Sequence, residues 1–146
     1  MTAPLPHCTT VRAMSLELIP LFTCTVTLAP TITVSSSMVI GEVTGATLEG
    51  ERVKGTMLGH AAADWLRTSP EGYGTLDVKI TYQTDDGAII HATYSGRLQF
   101  DTMTVYAAPL FHTGDERYLW MNRIQAAAKG TFQPDGTLVY EMYELR

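Results

Sequence analysis

A chain of 146 residues that is 45% hydrophobic and 17% charged is too apolar and too weakly charged to stay disordered, and too short for two full domains. Its net charge of −5, pI near 5.2 and only ten Lys and Arg argue against a binder of the phosphate backbone, so no nucleic-acid partner is expected. Thr, Pro and Ser interrupt every apolar run between Leu16 and Val34 well short of the roughly 20 residues of a spanning helix, so no membrane association is expected.

Residues 1–13 hold two prolines, one arginine and no apolar stretch, unlike a secretory signal, and the expectation is a cytoplasmic protein. Met14-Ser15-Leu16-Glu17-Leu18 reads like a natural start. The expected organisation is therefore a flexible N-terminal extension, 1–13, and a single domain over 14–146. Cys8 and Cys24 are expected as two reduced thiols, since one pair in a chain this size is no disulfide framework.

Short runs rich in Thr, Val, Ile and Tyr, separated by Gly, Pro, Asp and Ser, punctuate the chain as an all-β domain does. From Leu21 to Leu28 the apolar Phe22, Cys24, Val26 and Leu28 alternate with threonines, which predicts a half-buried strand. Further strands are expected at Ile32–Val34 and, after Ser35-Ser36-Ser37, at Met38–Val43. Glycines at 41, 45, 50, 55 and 59 are expected to break the next stretch into short pieces around Ala46–Leu48 and Val53–Leu58.

Ala62–Arg67 reads as a strand closed by the turn Ser69-Pro70-Glu71-Gly72. Thr75–Gln83 and Ala88–Gly96 flank Thr84-Asp85-Asp86-Gly87, whose Asp-Gly step supplies the positive φ of a tight hairpin. Tyr118–Gly130 reads as a strand paired through Pro134-Asp135-Gly136 with Leu138–Leu145, although Ala126-Ala127-Ala128-Lys129 has helical propensity. Eight to ten short antiparallel strands without a covering helix are most economically closed into a single β-barrel.

Several segments together carry a family resemblance: Pro20-Leu21-Phe22, Gly45 with Glu49-Gly50, Ala63-Asp64-Trp65, and Gly74-x-x-Asp77 leading into Thr84-Asp85-Asp86-Gly87. Phe111-x-Thr113-Gly114, Tyr118-x-Trp120-x-Asn122-Arg123 and Tyr140-x-x-Tyr143-Glu144 complete the set. From about Leu18 to Leu145 the chain thus resembles the family called domain of unknown function 3237. The resemblance implies a closed antiparallel β-barrel and, by analogy with fungal relatives in polyketide pathways, a cofactor-free cyclase that adds a hydroxyl across an alkene. The chain departs from the family pattern at Gln99–Ala108, which is short, and at Tyr106 and His112, where an arginine and an acid are usual.

No metal is expected, because His7, His60, His91 and His112 are scattered rather than set at ligand spacing. There is no Gly-x-Ser-x-Gly elbow and no Gly-rich loop opening a helix, so NAD, FAD and ATP are not expected either and the cofactor expectation is none. Acid–base chemistry in an aromatic pocket remains. Asp64 and Trp65 are adjacent in a strand, so one should point inward and the other outward, unless Asp64 instead caps backbone amides. Asp77 and Lys79 share a face opposite Leu76, Val78, Ile80 and Tyr82; inside a barrel they would form a reactive pair, outside it an ordinary surface pair. Tyr118, Trp120 and Asn122 would share another face of a strand, where Trp120 and Asn122 either stack and orient a flat ligand or belong to the core, while Arg123 either clamps a carboxylate or bridges strands.

The candidate catalytic residues are Asp64, Asp77 and Lys79, with Asp64 or Asp77 as general acid or base. The candidate substrate-binding residues are Trp65, Tyr94, Trp120, Asn122 and Arg123. The leading expectation is a cofactor-independent isomerase or cyclase acting on a polyketide-like or aromatic small molecule held in the barrel. The alternatives are a non-catalytic small-molecule-binding barrel and an interaction subunit with a filled lumen. Homodimerisation through an edge strand or apolar wall is a further expectation.

Overall fold

The computed structural model describes residues 14–146. The expected extension 1–13, with His7 and Cys8, lies outside the described residues. The described residues form ten strands in the order β1 (Leu18–Leu28), β2 (Ile32–Ser35), β3 (Met38–Glu49), β4 (Gly55–Met57), β5 (Ala63–Thr68), β6 (Tyr73–Thr84), β7 (Ile89–Gln99), β8 (Thr104–His112), β9 (Ala126–Phe132) and β10 (Leu138–Leu145). All pairings are antiparallel, and β1 joins both β10 and β3, so the sheet closes on itself as the all-β barrel expected. Between β3 and β6 the wall is completed by β4 and β5 in succession.

The β6–β7 hairpin forms where the Asp-Gly step places it. Gly87 takes φ +94 and donates its N–H to Thr84 O, while the Thr84 hydroxyl accepts the N–H of Ala88 and fixes the turn from inside. Leu76, Val78, Ile80 and Tyr82 of β6 point inward, and so do Ile90, Ala92, Tyr94 and Leu98 of β7. This period-two burial is what drives closure, since each strand hides one apolar row only when the sheet wraps around it.

Two local expectations are corrected. The glycine-rich stretch does not break at Gly41 or Gly45: β3 runs unbroken through both, pairing first with β2 and β5 and then with β1 and β4. A Cβ on Gly45 would stand 2.9 Å from Thr27 Oγ1, beside the point where the β1–β3 register shifts. The second correction concerns Tyr118 to Arg123, which is a 3-10 helix (Glu116–Arg123) and not a strand. Asp115 caps it by accepting Arg117 N–H at 3.0 Å, and its carboxylate also takes the Arg117 guanidinium. The alternation expected for Tyr118, Trp120 and Asn122 therefore does not arise, because this helix turns every three residues. The neighbouring Ala126–Lys129 does adopt the strand conformation, as part of β9 paired with β10.

The lumen is unevenly filled. Toward the 3-10 helix, Phe22 packs edge-on against Phe111 and Tyr82, and Met121 and Met142 are buried with them. Toward the other end the inward residues are smaller, with Val26, Val43, Val78 and Val105 prominent, and the barrel is hollow.

Candidate functional site

The hollow end is a cavity of about 290 Å³, close to the lower limit for small-molecule sites. Its walls are the inner faces of the strands, and Phe100, Met103 and Phe132 reach it from the β7–β8 and β9–β10 ends. Among the described residues the polar side chains lining it are Thr31, Asp64, Tyr94 and Tyr140, and no Lys, Arg or His lines it.

Asp64 reaches the lumen because β5 sets it opposite Gly41 on β3 and Val78 on β6, both inward positions, while its neighbour Trp65 points out and is 37% exposed. A Cβ built on Gly41 meets nothing within 4 Å, so open space lies directly beside the carboxylate. The pairing of β5 with β6 skips Trp65 and Leu66, which leaves the Asp77 N–H without a ladder partner. Asp64 Oδ1 accepts that N–H at 2.9 Å, and Oδ2 has no hydrogen-bond partner among the described residues. The carboxylate thus both mends a gap in the sheet and presents one oxygen for other work. Burial pushes its pKa up from 3.8 to about 6; the Asp77 N–H partly opposes that rise, and the nearby Asp77 charge adds to it.

Tyr94 and Tyr140 pack edge to face, 5.8 Å between ring centres, and both line the cavity. Burial drives both phenols above their ordinary range, and the Asp64 charge pushes the same way, so both keep their protons and can donate them. The Tyr82 hydroxyl near Tyr94, and the Tyr94 hydroxyl near Tyr140, partly offset the rise. Behind them the Tyr82 hydroxyl stands 3.9 Å from Cys24 Sγ. Cys24 is a free, buried thiol pushed up to about 12 by burial, which makes it an inert end to the row and no nucleophile.

Of the candidate catalytic and substrate-binding residues, only Asp64 and Tyr94 line this cavity. Asp77 and Lys79 lie on the outer face of β6 and are exposed, because the apolar row opposite them took the lumen. Trp65 is outside because β5 turns its neighbours Asp64 and Leu66 toward the lumen. Trp120 belongs to the packed end, where the Arg52 guanidinium stacks on it at 4.3 Å while also binding Glu144 at 2.7 Å. Asn122 is occupied by the backbone of Thr113, accepting its N–H at 2.8 Å and donating to its carbonyl at 2.9 Å. Arg123 is exposed in the last turn of the 3-10 helix, which carries it away from the lumen. Tyr140, which is not among the candidates read from the sequence, also lines the cavity. Its place in the alternation of Leu138, Tyr140 and Met142 marks it as inward, but nothing local says that it meets Tyr94.

Among the described residues no group of three or more His, Cys, Asp and Glu is disposed to hold a metal. His91 and His112 face each other across β7 and β8, with His91 Nδ1 bound to Thr81 Oγ1 at 3.0 Å, but no acid or thiol among the described residues joins them. No helix among the described residues is long and apolar enough to cross a membrane.

Several solved structures are similar to this chain, among them the following three. A β-barrel-like protein of Acinetobacter baumannii AYE shares 26% identity at a TM-score of 0.79, covering 90% of this chain and 97% of its own. An enzyme from Penicillium herquei shares 27% identity at a TM-score of 0.67, with 90% and 94% covered. A protein of unknown function from Clostridium acetobutylicum shares only 17% but has a TM-score of 0.82 over 90% and 100%, a likeness of fold. No curated protein matches the sequence. With the barrel closed from β1 to β10 and the family described as "Protein of unknown function (DUF3237)" matching residues 16–145, the chain belongs to that family.

Proposed function

We propose that the barrel is a cofactor-independent enzyme, an isomerase or cyclase that moves a proton within a small polyketide-like or aromatic molecule held in the cavity. The observation that carries this reading is one carboxylate, Asp64, set in an apolar lumen with two protonated phenols, Tyr94 and Tyr140. A carboxyl with a pKa of about 6 serves as base in one half of a cycle and as acid in the other near neutral pH. The phenols supply donors to a carbonyl oxygen as negative charge develops on it.

In a ring closure, Asp64 takes the proton of a substrate hydroxyl as that oxygen bonds to one carbon of a conjugated double bond. The π electrons shift toward the carbonyl, and Asp64 returns the proton to the carbon at the other end. Atoms and electrons balance without an oxidant. The likeness to an enzyme from Penicillium herquei supports a catalytic barrel.

A non-catalytic ligand-binding barrel is the second reading, favoured by the Asp64–Asp77 hydrogen bond, which gives the carboxylate a structural reason to be there. The experiment that separates the two is incubation of the protein with neutral hydroxylated aromatic enones, read by product formation, with Asp64→Asn as control. Product that disappears in the variant supports catalysis. Binding without product supports the second reading.

A further inference from the structure

We infer that the cavity selects an electrically neutral, hydroxyl-bearing ring compound and rejects its anionic counterparts, so that this protein discriminates ligands by charge. The inference rests on the reading of the cavity as the ligand site. Its first support is the composition of the wall among the described residues: one carboxylate, two phenols, a threonine, and otherwise aliphatic and aromatic side chains, with no cation. An anion entering would leave water for an apolar pocket that offers no opposite charge and already holds one of the same sign. A neutral molecule leaves little hydration behind.

The second support is the inventory of free valences. Asp64 Oδ2 has no partner among the described residues and is free to accept, and the two phenols can donate. A hydroxyl meets the first, and an oxygen lone pair on the same ligand meets the second. An ammonium brings three donors that diverge from its nitrogen to a single free carboxylate oxygen and loses a large hydration shell, which a partly paired buried charge does not recover. Shape adds a limit, because Tyr94, Tyr140, Phe100 and Phe132 present ring faces and edges around a cavity of about 290 Å³, room for a compound of two or so fused rings.

The test measures binding by titration calorimetry at about pH 7.5 with three probes on one skeleton: 2-naphthol, 2-naphthoate and 2-naphthylmethylammonium. The expected result is that 2-naphthol binds at least about tenfold more tightly than either ion. In Asp64→Asn, whose amide oxygen can still accept the Asp77 N–H, the gap between naphthol and naphthoate should shrink to within about threefold. The wild-type protein at about pH 5 gives the same comparison without a substitution, since Asp64 then gains its proton while naphthoate keeps its charge. The groups acting on Asp64 are Asp77 of β6, Tyr94 of β7 and Tyr140 of β10, and both tyrosines stay protonated throughout.

Naphthoate or the ammonium binding as tightly as naphthol, or an unchanged gap both in Asp64→Asn and at about pH 5, overturns the inference while leaving the cavity as a ligand site. Binding of none of the three overturns the inference together with the reading beneath it. Naphthol binding that survives Gly41→Leu, which fills the space beside Asp64, places the ligand elsewhere and also overturns it.

Discussion

The carboxylate of Asp64 accepts the backbone N–H of Asp77 at 2.9 Å, bridging the place where the β5–β6 ladder skips two residues. One oxygen is thereby committed to the fold and the other is left to the cavity. Asparagine can keep the first bond and cannot transfer the proton. In Asp64→Asn, turnover should fall by about 10²–10⁴ with little change in melting temperature at low pH, as checked by product assays and thermal melts. In Asp64→Ala the Asp77 N–H loses its partner, and stability should drop by about 1–3 kcal/mol as well. Equal melts for the two variants would remove the structural role from Asp64.

Burial raises the Asp64 pKa from 3.8 to about 6, so the folded protein favours the protonated carboxyl more than the unfolded chain does. The stability this contributes is full below about pH 3.8 and is lost as pH rises through about 6. Relative to Asp64→Asn, the wild-type protein should therefore lose stability across that window, by on the order of 2–3 kcal/mol in urea melts. Its rate should also climb through an apparent pKa of about 6 as the base ionises, a limb absent from the variant. A stability difference that stays flat from about pH 4 to 7 would show that Asp64 is not desolvated in this way.

Tyr94→Phe and Tyr140→Phe each keep the ring and remove a donor. Each should lower kcat by about ten- to a thousandfold with a smaller effect on KM, because the donors matter most when charge develops on the ligand. Steady-state kinetics on the two variants measure the split. A rise in KM alone would make the phenols binding groups only.

Gly41 lines the cavity, and a side chain added there finds open space. Gly41→Leu should abolish ligand binding while leaving the melting temperature the same or higher, since it fills a void and stiffens a strand. Calorimetry beside a thermal melt tests this. Retained binding would move the site away from the hollow end.

The outer face supplies the control. Asp77→Asn, Lys79→Met and Trp65→Ala alter residues that the barrel presents to solvent. Activity should stay within about twofold of wild type and stability within about 0.5 kcal/mol for the two polar sites. Asp77→Asn keeps the backbone N–H that Asp64 uses, so a large loss of turnover there would return Asp77 to the catalytic machinery.

Local chemistry made the fold class legible in the sequence. Alternation of apolar and polar residues in β1, β6 and β7 has a period of two because successive side chains leave a strand on opposite faces, and Asp86-Gly87 marks a hairpin because glycine takes the positive φ the turn requires. The same alternation opposed Asp77 and Lys79 to four apolar residues, and burial of the larger apolar row settles which face looks inward. The 3-10 helix was hidden because its cap, Asp115, competes with a strand-like alternation in Tyr118, Trp120 and Asn122. The site needed the tertiary structure. Asp64, Tyr94 and Tyr140 come from β5, β7 and β10, and only closure through the β1–β3 pairing brings them round one lumen. Whether that lumen is hollow depends on the summed volumes of side chains from every strand, large at Phe22, Tyr82 and Phe111 and small near Gly41, and no local pattern encodes that sum.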